Sequence, residues 1–343
     1  MRKKNRFQIF QSRRIIHNIM KIRINDKEID VVDGEKLIET ARRNNIEIPT
    51  LCYFAGYRHQ SSCMACVVKN RASNQIIPAC STVVTEEMDI DTESEEVIRL
   101  RTMSLELLLS DHRADCEAPC SMVCPEGLDI EKMLAFYDAE RYEQAFRMLS
   151  AVFSLSKIAC DNCKASCEKA CRRGTIDKSV QIRNIIKELI DKYAGVEPEK
   201  EAEIYKFDKK LFQSRLGRFS AKEKEILKQT VVTKSRCLHC ACAGKSDCKL
   251  RQYATKEGIK RPSFESSSTT PAMHKQNIVG NIWFEQAKCI KCGLCVYNSK
   301  DGFTFKDRGF GMQVILPDES VKNIDESLCE ICPTGALYVK AMQ

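Results

Sequence analysis

Twenty cysteines fall in five groups along 343 residues, and that pattern constrains this chain more than any other feature. Disulfides concentrate in small secreted domains with little core, whereas C-x2-C and C-x3-C groups in a reducing compartment bind metal more often. The chain is long enough for two or three domains, with 43% hydrophobic and 30% charged residues, the balance of ordinary globular protein. A cytoplasmic metal-binding protein is the expectation. No run approaches 18 apolar residues, so no membrane-spanning helix is expected.

The net charge of +8 points towards nucleic acid only until it is located. Residues 1–19 carry six Lys/Arg and no acid, which leaves +2 for the rest. Nucleic acid is therefore not an expected partner. Ser12-Arg13-Arg14 has a twin-arginine look, but no apolar stretch follows it. An Arg-rich, acid-free transit peptide is the other reading, and the simplest is a basic extension ahead of a fold that opens at Met20.

From Met20, "KIRI" and "EIDVV" flank a polar turn, "EKLIETARRNN" has helical spacing, and strands resume around "CVVKN" and "IIPAC". Residues 20–93 thus read as a small curved sheet with one helix. Residues 94–196 read as helical, beginning with Val97, Leu100, Leu105 and Leu108 on one face behind a Ser94 cap. A charged linker with helical pieces (197–234), a four-Cys module (235–261), a Ser/Thr/Pro-rich linker (262–279) and a last domain (280–343) follow.

The first group is Cys52-x10-Cys63-x2-Cys66-x13-Cys80. Four thiolates suit zinc or an iron–sulfur cluster. Zinc sites usually pair two C-x2-C knuckles, whereas one cysteine, a long loop, a C-x2-C and a distant cysteine is typical of [2Fe–2S] loops. Gly56, Ser61, Ser62 and Ala65 let backbone N–H groups approach the sulfides. With "IPTLCYF" ahead of it and a β-grasp pattern around it, this region resembles the N-terminal [2Fe–2S] domain of the large iron–sulfur subunit of respiratory complex I, which also opens many [FeFe] hydrogenases. "LELLLSDHRADC" resembles the helix leading to the His-Cys cluster of that family. A zinc-stapled β domain is the alternative.

The second group, His112-x3-Cys116-x3-Cys120-x3-Cys124-Pro125, starts as that family does, but the family continues C-x2-C-x5-C and this chain does not. Instead "CEAPCSMVCPEGLDIEKML" and "CDNCKASCEKACRRG" resemble the helical N-terminal domain of the glutamate synthase small subunit and of dihydropyrimidine dehydrogenase, where two [4Fe–4S] clusters lie among helices. Seven cysteines and one histidine would supply two cubanes, and the family's first cysteine falls at His112. A neutral imidazole ligand would raise that cluster's potential; the alternative is a His that caps a helix C-terminus. Because a Cys-Pro cysteine often serves the other cluster, the expected sets are His112, Cys116, Cys120 and Cys171, and Cys124, Cys160, Cys163 and Cys167.

Cys237-x2-Cys240-x-Cys242-x5-Cys248 places four thiols within twelve residues, enough to wrap one zinc or one [4Fe–4S] cluster. His239 inside it is a spacer or a competing ligand. Cys289-x2-Cys292-x2-Cys295 is a ferredoxin half-motif. Its closure by Cys332-Pro333 resembles the large complex I subunit again and implies one more [4Fe–4S] cluster. Cys329 is read as a buried free thiol.

The expected architecture is multidomain α+β: a β-grasp [2Fe–2S] ferredoxin domain, an all-α two-cluster domain and a C-terminal [4Fe–4S] ferredoxin-like domain. The expected cofactors are one [2Fe–2S], three or four [4Fe–4S], and zinc if the four-Cys module takes it. No G-x-G-x-x-G follows a strand, and no Ser/His/Asp or H-E-x-x-H pattern stands out. No catalytic residue, flavin or nicotinamide is therefore assigned to this chain. The resemblance implies an electron-transfer subunit between a flavoprotein NAD(P)H-oxidoreductase subunit and a second redox-enzyme subunit. The rivals are an iron–sulfur redox sensor or scaffold and a zinc-stapled interaction protein.

Overall fold

The computed structural model describes residues 19–153, 158–193, 195–196, 206–242, 247–260, 264, 272–300, 302–317 and 324–340. The basic extension and parts of both linkers lie outside them. The chain divides into two compact units, residues 1–48 with 66–99, and residues 49–65 with 100–343.

The first unit is a mixed five-stranded sheet in the order β2-β1-β5-β3-β4. Strands β1 (Ile19–Ile24) and β2 (Lys27–Val32) form an antiparallel hairpin. Asn25 and Asp26 join them, both with positive φ, as a two-residue turn matched to strand twist requires. Alternation puts Ile22, Ile24, Ile29 and Val31 in the core. Helix α1 (Leu37–Arg43) buries Leu37, Ile38 and Ala41. Strands β3 (Val67–Asn70) and β4 (Gln75–Pro78) pair antiparallel, and β5 (Asp89–Asp91) runs parallel to β1. Asn25 and Thr92 exchange two hydrogen bonds of 2.6 and 2.9 Å that fix the β5 end. The Asp91 carboxylate accepts the N–H of Glu93 and of Ser94 at the entry to α2 (Glu95–Asp111).

The second unit opens with a helical half. It holds α3 (Pro119–Met122), α4 (Ile130–Asp138), α5 (Tyr142–Val152), α6 (Ile158–Asp161), α7 (Ser166–Ala170) and α8 (Ile182–Lys192). Ile182, Ile185, Ile186 and Leu189 recur at helical spacing on α8 and pack with Met133, Leu134 and Leu149. Full burial of each such side chain contributes about 1.5–3 kcal/mol. Residues 206–220 form neither helix nor strand and turn at 209–210, yet Phe212, Ser214, Leu216 and Phe219 are buried. A capping box then starts α9 (Ala221–Thr230): Ser220 Oγ accepts the Glu223 N–H, and the Glu223 carboxylate accepts the Ser220 N–H. Glu223 also binds Arg113 at 2.7 Å and the Ala272 N–H at 2.9 Å, tying three segments together.

Helix α10 (Lys249–Lys256) precedes the last part, with strands β6 (Lys275–Val279) and β7 (Ile282–Glu285), helix α11 (Leu294–Asn298), the hairpin β8 (Thr304–Lys306) and β9 (Gln313–Ile315), helix α12 (Ser327–Ile331) and strand β10 (Leu337–Val339). Strand β7 lies between β10 and β6, and Phe284, Leu294, Phe303, Val314 and Leu337 form the core. The chain thus has the expected succession of a mixed-sheet domain, a helical middle and a small-sheet C-terminal domain.

Candidate metal centres

All twenty cysteines lie among the described residues, and none forms a disulfide. In the first group Cys52, Cys63, Cys66 and Cys80 are all buried, at 3% exposure or less. In the sheet unit Cys66 enters β3 and Cys80 leaves β4; the Ala79 N–H donates to the Cys66 carbonyl at 3.1 Å. In the other unit Cys52 and Cys63 pack with Leu51, Ala65, Leu105 and Leu109. Gly56 has φ +82, so the loop turns there at no steric cost.

Cys289, Cys292, Cys295 and Cys332 line one cavity with Phe284, Ile290, Leu294, Val314 and Pro333. Burial pushes the Cys289 thiol up to about 12; the Lys291 N–H, 3.3 Å from its sulfur, works the other way, and the Cys332 thiol adds to the rise. Cys292 and Cys295 are held well above the usual range by burial and by the other thiols of the set. Gly293 has φ +79, and a Cβ there would lie 2.6 Å from the Tyr297 ring, so the loop between these cysteines needs glycine. Cys329 lies on α12 in the adjoining core and is not among the residues lining the cavity.

A second cavity is lined by Cys124, Cys160, Cys163 and Cys167 with Leu128, Phe153, Arg183 and Ile186. Burial and then the Cys124 and Cys163 thiols push Cys160 to about 11. Cys167 reaches about 11 by burial, opposed by the Glu168 N–H.

The remaining cysteines divide differently from the sequence expectation. Burial pushes Cys248 to about 12, and the thiols beside it are Cys242 and Cys116. Cys116 is raised to about 11 by burial, with Cys242 again the neighbouring thiol. The Cys242 N–H donates to the Cys116 carbonyl at 3.2 Å. His112 stands in the same place: Ser214 Oγ lies 3.3 Å from its Nδ1, and the Ser214 N–H reaches the Cys116 sulfur at 3.4 Å. Burial and then the Lys288 charge hold the His112 imidazole neutral, at about 4. A neutral ring is the form that binds metal, and Ser214 Oγ occupies the Nδ1 side of this one.

Cys120 is buried against Cys237 and Cys171, and Cys240 against Cys120 and Cys237. Cys120 thus has Cys171, Cys237 and Cys240 as thiol neighbours, whereas Cys242 and Cys248 neighbour Cys116. The helical half separates Cys116 from Cys242 in sequence, and the fold returns them to contact. His239 faces two carboxylates. Its Nδ1 lies 3.0 Å from Glu131 Oε1 and its Nε2 3.1 Å from Asp138 Oδ2. Two carboxylate acceptors require both ring nitrogens protonated. Despite burial, Asp138, Cys237 and Glu131 raise the ring to about 11.

Sequence reading missed Ser214, Lys288 and the join between Cys116 and Cys242. One signal was present: the C-x5-C step missing after Cys116 reappears as Cys242-x5-Cys248. The donor chemistry fits iron–sulfur clusters.

Comparison with known proteins agrees with this chemistry. Residues 18–95 match the 2Fe-2S iron-sulfur cluster binding domain, residues 103–197 dihydropyrimidine dehydrogenase domain II with its 4Fe-4S cluster, and residues 282–339 a 4Fe-4S single cluster domain. The NADP-reducing hydrogenase subunit HndD of Solidesulfovibrio fructosivorans is 34% identical over 33% of this chain and 20% of its own length. The NADPH-Fe(3+) oxidoreductase subunit alpha of Geobacter sulfurreducens is 28% identical over 42% of this chain and 16% of its own. The NADH-ubiquinone oxidoreductase 75 kDa subunit of Dictyostelium citrinum is 29% identical over 32% of this chain and 16% of its own. The chain therefore spans a fifth or less of these relatives. A chain of the NAD+-reducing [NiFe]-hydrogenase superposes over 94% of this chain and 88% of its own with a TM-score of 0.50 at 16% identity, a likeness of fold. The chain is an iron–sulfur protein that joins a 2Fe-2S domain, a dihydropyrimidine dehydrogenase domain II and a 4Fe-4S domain, related to the 75 kDa subunit of NADH-ubiquinone oxidoreductase (complex I) and to hydrogenase subunits.

Proposed function

We propose that this chain is an electron-relay subunit, carrying electrons between a flavoprotein subunit that handles NAD(P)H and a second redox-enzyme subunit. In this reading Cys52, Cys63, Cys66 and Cys80 hold a [2Fe–2S] cluster. Cys289, Cys292, Cys295 and Cys332 hold one [4Fe–4S] cluster, Cys124, Cys160, Cys163 and Cys167 another, and His112, Cys116, Cys242 and Cys248 a third. The clusters, when bound, pass single electrons.

The observation that carries the reading is serial order. Cys116, Cys120 and Cys124 are four residues apart, and each belongs to a different thiol neighbourhood. Four residues span at most about 14 Å of extended chain, so three sites are forced close together. At the other end the Lys249 N–H donates to the Pro333 carbonyl at 3.0 Å, joining the neighbours of Cys248 and Cys332. The Cys52 thiol in turn bears on Cys292, and Ser62 Oγ donates to the Cys292 carbonyl. A sensor needs one such site; a row of them suits conduction. Apolar walls around the cysteines exclude water, and N–H···S contacts from Lys291, Leu337 and Ser214 favour the thiolate form.

The cysteine spacings favour metal ligation over disulfides, which supports a reducing compartment, and we assign the protein to the cytoplasm. Among the described residues no helix is long and apolar enough to cross a membrane. The test is anaerobic copurification of the native assembly. A flavoprotein should copurify, and NAD(P)H should bleach the clusters only in its presence. A chain that purifies alone and is reduced by no flavoprotein would overturn the reading.

A further inference from the structure

Resting on the reading that these thiols hold iron–sulfur clusters, we infer that Cys120, Cys171, Cys237 and Cys240 form one further [4Fe–4S] site. It is closed across the chain: two ligands come from the helical half and two from a C-x2-C step some way beyond it. No domain match includes Cys237 or Cys240, since the helical match ends at residue 197 and the next begins at 282.

Four sets of contacts support this arrangement. The Cys242 N–H bond to the Cys116 carbonyl sets the register of residues 235–242 against residues 116–120. Asp138 on α4 accepts the Ser235 N–H and Oγ–H, both at 2.6 Å, and the Ser235 Oγ accepts the Cys237 N–H at 3.0 Å. His239, between the two cysteines, is clamped by Glu131 and Asp138 through both ring nitrogens. Arg236 reaches Asp177 at 2.6 Å. Segment 235–240 is thereby pinned to α4 and to the loop after α7, and Cys237 and Cys240 are buried in the same apolar core as Cys120.

Cys171 arrives by a separate device. It ends α7, which packs on α3, the helix that carries Cys120. The next residue, Arg172, makes two hydrogen bonds of 2.7 and 2.6 Å to the fully buried Asp115, which also accepts the Leu216 N–H. The fold thus brings four thiols from three distant stretches together, with a charged clamp on either side. Thiols in a water-excluding core gain nothing from such convergence unless a cation takes their charge.

The site also completes the row. Cys120 lies four residues from Cys116 and four from Cys124, and Cys240 two from Cys242, so this cluster is the link between the His112 site and the Cys124 site.

Two experiments test it on the full chain, handled without oxygen. In the first, C237S/C240S and C171S are compared with the unaltered chain by iron and sulfide content and by electron paramagnetic resonance. Each variant should lose the same single [4Fe–4S] signal, about four iron atoms, and the triple variant should lose no more. The nitrogen-coupled signal of a His-ligated cluster should survive in all of them and vanish in C242S. Loss of different clusters in C171S and C237S/C240S, or loss of the nitrogen-coupled signal in C237S/C240S, would overturn the assignment. The second needs no variant to fold: the native chain is partly stripped of iron by a chelator, alkylated and mapped by mass spectrometry. Cys120, Cys171, Cys237 and Cys240 should become reactive as one set. Release of Cys237 and Cys240 together with Cys242 and Cys248, ahead of Cys120 and Cys171, would contradict the proposal. Absence of iron from the unaltered chain would instead refute the electron-relay reading on which it rests.

Discussion

The backbone N–H of Cys242 donates to the carbonyl of Cys116 across 3.2 Å, although the whole helical half separates them in sequence. That contact brings a C-x5-C step back beside the His112-x3-Cys116 pair. In the proposed assignment, two cysteine groups that look self-contained in sequence become parts of two shared sites.

His112 should set the potential of its site. Replacing it with cysteine exchanges a neutral ligand for a thiolate and adds negative charge to the cluster. A redox titration of H112C should show one cluster shifted to lower potential with iron content unchanged. An unmoved titration curve would exclude His112 as a ligand.

The Lys288–Glu285 pair is almost wholly buried, with Nζ 2.7 Å from Oε2 and side-chain exposures of 2% and 1%. Removing Lys288 strands a carboxylate in the interior. Lys288→Met should therefore cost about 3–5 kcal/mol in denaturant unfolding of the cluster-loaded protein, and Lys288→Met with Glu285→Gln should recover much of it. A double variant no better than the single would contradict this.

The folded and unfolded pKa values of Asp177 differ in a way that fixes the pH dependence of the Arg236 clamp. The Arg173 guanidinium, bound to it through two hydrogen bonds, holds the carboxyl down at about 2. A depressed carboxylate contributes stability that is fully present above its ordinary value of 3.8 and is lost as pH falls through about 2. Between pH 5 and 8 the contribution is constant. Asp177→Asn should therefore lower stability by the same amount across that range, by denaturant unfolding at several pH values. A loss that varies with pH there would contradict the assignment.

Gly293 should tolerate no side chain. Its φ of +79 and the 2.6 Å approach to Tyr297 make Gly293→Ala strained on both counts. The variant should lose about 1–2 kcal/mol from backbone strain alone, and the iron of the Cys289–Cys332 site first. Normal iron content and stability would argue against the loop geometry.

Stripping the metal should unfold the helical half in residues 112–171. Its thiols crowd one another in dry pockets, and its helices α3, α6 and α7 are each five residues or shorter, too short to persist alone. Circular dichroism and hydrogen exchange of iron-free protein should show that loss. Native-like protection there would refute it.

Much of this was legible in the sequence. Alternation in "KIRINDKEIDVV" marked the first hairpin, and the spacing of the α2 apolar residues marked the long helix. The cysteines around 52–80, 124–167 and 289–332 stand close together in sequence or carry familiar spacings. The shared sites were hidden because their registration depends on backbone contacts such as Cys242 to Cys116, and on a clamp of Glu131, Asp138 and His239 whose members have no periodic relation. Ser214 lies in a stretch with charged, linker-like composition, yet it bonds both His112 and Cys116.

Iron and acid-labile sulfide counting with Mössbauer spectroscopy, on protein isolated without oxygen, tests the central claim most directly. One two-iron and four four-iron clusters predict about 18 iron atoms per chain, with matching sulfide and little zinc. Paired cystines, zinc in place of iron, or a single redox centre would contradict it.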